Sequence, residues 1–448
     1  MAQKQKLELT WIGKENRPRL EPRILLEDSE KSYHAATRIT DRDSFNNRLI
    51  FGDNLLVLKA LEQEYTGKIQ CIYIDPPFNT GQAFATYEDG IEHSLWLSLM
   101  RDRLELLRRL LTVEGAIFVH CDDNEQAYLK IVMDEVFGRD NFVTAIIWQK
   151  VDSPNDNKVA ITPDHDYILL YARSSEKVRF RQMQDSSLVE AYRGPDENGR
   201  MYRDRLLKKN GKNSLRSDRP SMYFAVPGPD GTEVYPIHDD GREARWAMGK
   251  TAVFELLRKN EIIWKKRERA SESVWVPYTR EYAPNNPTRP YPSIWTDVLT
   301  TRQAKAHLNE LHRGQTPFDT PKPEDLIKRI IEMGTDEGDL VLDSFAGSGT
   351  TGAVAHKLGR RWIMVELGEH CHTHIIPRLK KVIDGTDRGG ISEYAEWTGG
   401  GGFRYYRLAP SLLEKDRFGN PIISKHYNAA MLTEAMCKLM GFRYRPFQ

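Results

Sequence analysis

The stretch Ile69–Gly81, I-Q-C-I-Y-I-D-P-P-F-N-T-G, narrows the possible folds more than any other. Its apolar run (Ile69, Cys71, Ile72, Tyr73, Ile74) has the length and content of a parallel strand buried on both faces. Asp75-Pro76-Pro77-Phe78 cuts the run off. Neither proline has an N–H to give to a ladder and both fix φ, so the strand ends on a stiff corner. Pro76 also drives Asp75 out of the α region. The product is a carboxylate, a carbonyl and an aromatic ring at the carboxyl end of a strand, where open α/β sheets bind ligands. One reading is structural: Asp and Pro are ordinary turn residues, and Phe78 would simply be packed. The other is activation of an exocyclic amine. The lone pair of a nucleobase amino group is delocalised into its ring. Two acceptors on its N–H bonds, the Asp75 carboxylate and the Pro76 carbonyl, would draw the nitrogen toward tetrahedral geometry while Phe78 stacks on the base.

A second stretch, Asp339–Leu367, weighs for chemistry. Leu340–Leu342 predicts a strand, Gly347, Gly349 and Gly352 form G-x-G-x-x-G, Thr350–Leu358 predicts a helix, and Trp362–Val365 predicts a strand ending in Glu366. A glycine turn lets backbone approach a ligand and aims helix N–H groups at it. An acid about twenty residues further on suits a ribose hydroxyl pair. No Lys follows the second glycine, which argues against a phosphate P-loop. A dinucleotide remains open on this motif alone, and so does a plain βαβ unit.

Together the motifs resemble those of the amino DNA methyltransferases that use S-adenosylmethionine. In that family Asp-Pro-Pro-Phe/Tyr is the catalytic motif and Phe-x-Gly-x-Gly the cofactor motif, here Asp75–Phe78 and Phe345–Gly349. The catalytic motif comes first, and Thr320-Pro321-Lys322-Pro323 precedes the cofactor motif, an order that resembles the permuted β class. Asp-Pro-Pro-Phe-Asn-Thr-Gly, with Phe51-Gly52-Asp53-Asn54 before it, is most similar to modification subunits of type III restriction systems. The resemblance implies an α/β, doubly wound, Rossmann-like methyltransferase fold with permuted motif order and an inserted α+β target-recognition domain. It implies transfer of a methyl group to adenine N6 of a base flipped out of duplex DNA. Asp75, Pro76, Pro77 and Phe78 would be catalytic. S-adenosylmethionine would lie across Asp343, Phe345, Gly347, Gly349, Thr350 and Glu366, with Asp53 at its adenine and Lys322 at its methionine end. The bottom-up alternative for Asp53 is a helix N-cap, and for Lys322 a plain surface lysine. Double-stranded DNA is the implied partner, and a second copy of the chain and a helicase-nuclease restriction subunit stay open. So do a cytosine-N4 enzyme, a nicotinamide oxidoreductase on the same glycine turn, and a catalytically silent DNA-binding protein.

The rest of the chain supplies context. A length of 448 residues accommodates two or three domains. Four cysteines, widely spaced and without C-x-x-C, suit a reduced, cytoplasmic setting and no cysteine-type zinc site. The expected division is an arm over 1–47 anchored by Trp11 and Tyr33, a catalytic half over 48–175, a recognition domain over 176–290, a cofactor half over 291–398, and a C-terminal segment over 399–448. The net charge of +1 gives no global signal for nucleic acid, but residues 181–290 carry 21 Lys and Arg against 16 Asp and Glu. Arg203, Arg205, Lys208, Lys209, Lys212, Arg216, Arg219, Lys265, Lys266, Arg267 and Arg269 lie there among aromatics. The pattern suits phosphate contacts, with polar loop residues to read base edges. Three further expectations are local. Arg101, Arg103, Arg108 and Arg109 should form a solvated helix face. Asn79–Gly90 should be a loop that orders over a ligand. Gly399–Gly402 should be a flexible hinge. His370, Cys371, His372 and His374 have spacing that tempts a metal reading, but on a helix His372 would face away, and no metal is expected.

Overall fold

The apolar strand runs are two-sided, and each side receives a layer of helices. The computed structural model describes the chain apart from residues 1–7, 22, 42, 80–91, 154–159, 193, 197, 270–271, 315, 317, 443 and 445–448. The expected loop over Asn79–Gly90 therefore lies almost wholly outside the described residues. Its elements in order are β1 (Asn47–Phe51), α1 (Asn54–Tyr65), β2 (Ile69–Ile74), α2 (His93–Leu110), β3 (Leu111–Cys121), α3 (Gln126–Phe137), β4 (Phe142–Gln149) and β5 (His165–Ala172). After a separate unit come α4 (Glu324–Gly334), β6 (Leu340–Asp343), α5 (Thr350–Lys357), β7 (Arg361–Glu366), α6 (Ile376–Ile383) and β8 (Gly402–Leu408).

These strands form one mixed sheet in the order β8-β1-β7-β6-β2-β3-β5-β4. It is parallel from β8 to β3 and antiparallel through β5 and β4. Leu25–Glu27 and Tyr33–His34 pair antiparallel with β8, so part of the N-terminal arm joins the sheet. The alternation of a strand sorts its side chains. Ile72 and Ile74 of β2, Ile117 and Val119 of β3, Leu342 of β6 and Ile363 and Val365 of β7 pack with α1, α2 and α3 in one buried cluster. On the other face Gly334 of α4 lies against Cys71 and Phe118, and Gly352 of α5 against Met364. A Cβ on Gly352 would come 2.3 Å from Met364 Cε, so the motif's third glycine serves close helix–strand packing.

The strands β2 and β6 are direct neighbours, with Val341 opposite Cys71. From β2 the chain crosses through α2 to β3 on one side; from β6 it crosses through α5 to β7 on the other. Connections that part in opposite directions leave a crevice beyond the carboxyl ends of the two strands.

Two expectations are corrected here. Arg101 and Arg103 are buried rather than solvated, at 3% and 8% exposure. Arg103 donates to Asn54 Oδ1 and to the Leu99 carbonyl, while Arg101 pairs with Asp102 and the Lys14 carbonyl and lies over Trp11. Their aliphatic stems cover apolar surface, and their heads are satisfied by the arm and by α1. The Trp11 indole reaches Ser98 of α2 at 2.8 Å. Gly399–Gly402 is no free hinge either. Gly399, Gly400 and Gly401 hold φ of 108°, 114° and 72°. A Cβ on Gly400 would lie 2.7 Å from the Asp43 carboxylate, and its carbonyl accepts from His356 Nε2. These glycines are there because the chain is packed tightly, in a conformation that side chains disfavour.

Residues Gln182–Tyr291 form a second unit. An antiparallel sheet orders Ile262–Arg269, Glu272–Tyr282, Met201–Leu206 and Gly194–Pro195, and Leu207, Val226, Trp246, Val253 and Ile262 form its core. Many of its basic residues have acidic partners: Arg203 and Arg205 with Glu281, Lys265 with Asp204, Arg216 with Glu243. Lys208, expected among the phosphate contacts, is buried and donates to the Ile237 carbonyl. Among the described residues no helix is long and apolar enough to cross a membrane.

Candidate active site

The crevice beyond β2 and β6 is a cavity of about 930 Å³ whose lining includes Asp75–Phe78, Lys322, Asp343, Phe345–Ser348 and Thr350. Residues some 270 positions apart in sequence thus face one space because their strands are neighbours.

The Asp75 corner is held from several sides. The Trp96 indole donates to the Pro77 carbonyl at 2.8 Å, and Asn79 Nδ2 donates to Glu125 Oε1 at 2.8 Å. The Lys322 ammonium reaches Asp75 Oδ2 at 2.6 Å, and the Lys322 side chain is 9% exposed. Asp75 Oδ1 is buried and has no hydrogen-bond partner among the described residues. Lys322 is therefore not a surface lysine, and its charge is engaged with the acid rather than held open for a ligand. Its ammonium also lies 5.2 Å from the centre of the Phe78 ring.

Beneath Phe78 is a polar group that no local motif singles out. The Phe78 ring stacks on His120, centroids 5.7 Å apart and planes 20° from parallel. His120 is fully buried. Its Nδ1 meets the Tyr73 hydroxyl at 3.0 Å and its Nε2 meets Asp166 Oδ2 at 3.1 Å, while Lys150 reaches Asp166 Oδ1 at 2.7 Å. Burial alone would raise the Asp166 pKa. The His120 hydrogen bond and the charges of His120, Lys322 and Lys150 outweigh it and hold the carboxyl well below its usual range. The available signal was positional: Tyr73 and His120 sit near the carboxyl ends of β2 and β3, but one sequence does not pair them with Asp166 on β5.

The glycine turn follows β6. Gly347 and Gly349 have φ of 54° and 77°, which L side chains rarely adopt. A Cβ on Gly349 would also come 3.0 Å from Ile375. Asp343 closes the strand. Its Oδ1 accepts from the Phe345 N–H at 2.9 Å and its Oδ2 from the Thr351 hydroxyl at 2.6 Å. Burial nonetheless pushes its pKa up to about 7, and the charges of Asp75 and Glu366 add to the push against these two hydrogen bonds. The Thr350 hydroxyl donates to the Lys322 carbonyl and accepts from Arg378 Nη1.

Two residues expected at the cofactor sit elsewhere. Asp53 is the N-cap of α1, accepting from the Leu56 N–H at 3.1 Å with Arg103 at 3.4 Å, and it is not among the cavity's lining residues. A carboxylate one residue before a helix serves the free N–H groups of the first turn. Glu366 is fully buried in its side chain, and its oxygens accept from the N–H groups of Gly347, Leu367 and Gly368, with His370 Nε2 at 3.1 Å. It clamps the glycine turn from behind instead of facing the cavity.

The histidines after Glu369 go to separate partners: His372 to Glu369 and the Tyr405 hydroxyl, His374 to the Thr316 carbonyl. Among the described residues, the group with metal-ligand spacing is His307, Glu324 and Asp387. The Lys357 ammonium already lies 2.7 Å from both carboxylates, and Arg378 bonds Glu324, so charge there is balanced by the chain itself.

Known proteins share these motifs. A family model described as DNA methylase matches residues 69–377. The chain is 31% identical over 424 residues to the "Probable type III restriction-modification enzyme HindVI Mod subunit" of Haemophilus influenzae, covering 86% of this chain and 56% of that protein. It is 31% identical over 413 residues to the type III EcoPI Mod subunit of Escherichia phage P1, covering 79% and 61%. Against the type II methyltransferase M.KpnI of Klebsiella pneumoniae the identity is 31% over 353 residues, covering 74% and 81%. The chain thus spans little more than half the length of the two Mod subunits. A DNA modification methylase of Thermus thermophilus, solved with S-adenosyl-L-methionine, is similar over 80% of this chain with 16% identity and a TM-score of 0.39. With the family model matched over more than half its length, the chain belongs to the N6/N4 DNA methylase family.

Proposed function

We propose that the chain transfers a methyl group from S-adenosylmethionine to the N6 of an adenine flipped out of duplex DNA, as the modification component of a restriction system. The observation that carries this is Asp75: a carboxyl held on a rigid corner, facing the cavity, with one buried oxygen unpartnered among the described residues. An amine N–H is the group that such an acceptor lacks. The glycine turn and its acids suit the cofactor. Gly347 and Gly349 leave room a side chain would take, and Asp75 and Asp343 favour a positively charged ligand. Phe345, Gly347, Gly349, Thr350 and Asp343 would hold it, and bound there it supplies an electrophilic methyl on a sulfonium.

The chain's own residues do the rest. Phe78, backed by His120, offers a flat apolar surface to a purine. Asp75 Oδ1 and the Pro76 carbonyl take the two N–H bonds of the amine, and the acid stabilises the positive charge that grows on nitrogen as the methyl arrives. Catalysis is then positioning and electrostatics without a covalent enzyme intermediate. Asp rather than Ser at position 75 favours adenine over cytosine N4. The second unit supplies target recognition, with the exposed Lys212 and Arg219 as phosphate contacts. The permuted motif order, with this unit inserted between the two halves, fits the β class. DNA in the cytoplasm is the substrate, and a restriction subunit and a second copy of the chain are the candidate partners. Tritiated methyl transfer into duplex DNA tests the proposal, followed by digestion to nucleosides. Wild type should yield N6-methyladenine and Asp75→Ala should yield none. Retained activity in the variant would remove Asp75 from the mechanism.

A further inference from the structure

We infer that Lys322 is a positioning residue that aims Asp75 at the amine, and that it makes no contact with the cofactor; this rests on the reading of Asp75 as the amine acceptor. The terminal torsion of an aspartate is soft and nearly two-fold, so an unrestrained carboxylate presents either oxygen over a broad range of angles. The Lys322 ammonium at 2.6 Å takes Oδ2 out of play and leaves Oδ1 as the free acceptor. Such an arrangement works only if the lysine is itself fixed. Pro321 and Pro323 flank it and stiffen its backbone. Its carbonyl accepts from the Thr350 hydroxyl at 3.2 Å, that hydroxyl accepts from Arg378 Nη1 at 2.8 Å, and Arg378 is anchored on Glu324 at 2.8 Å. A continuous set of contacts therefore runs from the glycine turn to the acid.

The alternative, in which the ammonium holds the methionine end of the cofactor, requires breaking this pair. Lys322 is 9% exposed and Asp75 23%. Separating two charges so far from water leaves both uncompensated, which is costlier than forming an exposed pair is favourable. Lysine also suits the task better than a forked guanidinium would. A compact point charge occupies one carboxylate oxygen without bridging both.

The test compares wild type with Lys322→Met and Lys322→Arg by calorimetry for S-adenosylmethionine and by steady-state methyl transfer to duplex DNA. Lys322→Met should bind cofactor within about twofold of wild type, lose about tenfold or more in kcat, and keep the KM for DNA. Lys322→Arg should recover part of that kcat, since a cation again engages Oδ2. Intact cofactor binding shows that the variant is folded. A cofactor Kd weakened about tenfold with kcat retained would overturn the inference in favour of cofactor contact. So would an unchanged kcat in Lys322→Met. A wild type that transfers no methyl group would bring down the parent reading and this one together, and that failure is visible before any substitution is made.

Discussion

Asp343 offers a test of how the site balances charge. Burial lifts its carboxyl from the ordinary 3.8 to about 7. That gap of roughly three units corresponds to about 4 kcal/mol. The sign follows from proton counting. Between those two values the folded protein keeps a proton that the unfolded chain has released, so wild-type stability falls as pH rises from about 4 to about 7 and levels off above. The amide introduced by Asp343→Asn has no such proton to lose, and its oxygen can still accept from the Phe345 N–H. The stability of Asp343→Asn relative to wild type should therefore rise by up to about 4 kcal/mol between pH 4 and pH 8, on top of a constant offset for the altered Thr351 contact. That amount is comparable with much of a domain's net stability. Urea unfolding of both proteins across this range measures it, and taking the difference between them cancels the other titrating groups. A difference that stays flat, or that shrinks with rising pH, would refute the assignment of a buried, protonated acid. The same reasoning gives a ligand effect. A cation bound beside Asp343 favours the ionised form, so wild-type affinity for S-adenosylmethionine should increase through about pH 7, and in Asp343→Asn it should not.

Two further outcomes are expected. Asp53→Ala should cost about 1 kcal/mol in a denaturation midpoint through loss of the α1 cap and leave the cofactor Kd unchanged, whereas a tenfold weaker Kd would restore Asp53 as a cofactor contact. Lys357→Met would strand the carboxylates of Glu324 and Asp387, which are fully buried in their side chains, and should cost about 3–5 kcal/mol, readable as a large drop in melting temperature; a change below about 1 kcal/mol would mean that the network is not held by that ammonium.

The elements that built the site were legible because each carried a local signal. The apolar run of β2 with its double-proline stop, the glycine turn, and the strand–helix alternation around them follow from short-range rules of burial, φ and hydrogen bonding. What escaped depended on pairings across the fold. Lys322 reads as a helix-mouth lysine until β2 and β6 are neighbours and Asp75 comes within 2.6 Å. Arg101 and Arg103 look like a charged helix face until the arm and α1 cover them. Glu366 stands at the spacing of a ribose-binding acid, yet the three backbone N–H groups that occupy it belong to turns the motif does not specify. Gly399–Gly402 shows the same limit: composition cannot tell a loose glycine run from one squeezed between Asp43 and His356.

The pairing of β2 with β6 also sets a timetable for the nascent polypeptide. β2 ends at Ile74 and β6 begins at Leu340, so at ribosomal speeds of roughly 5–20 residues per second the wait is on the order of ten to fifty seconds. During that interval one side of a central, wholly apolar strand has no ladder partner, an edge of the kind that invites pairing with other chains. The unit over Gln182–Tyr291 is synthesised in full within the gap. Ribosomal products that stop short of Leu340 would carry the bare strand permanently, and aggregation or capture by chaperones is their expected fate.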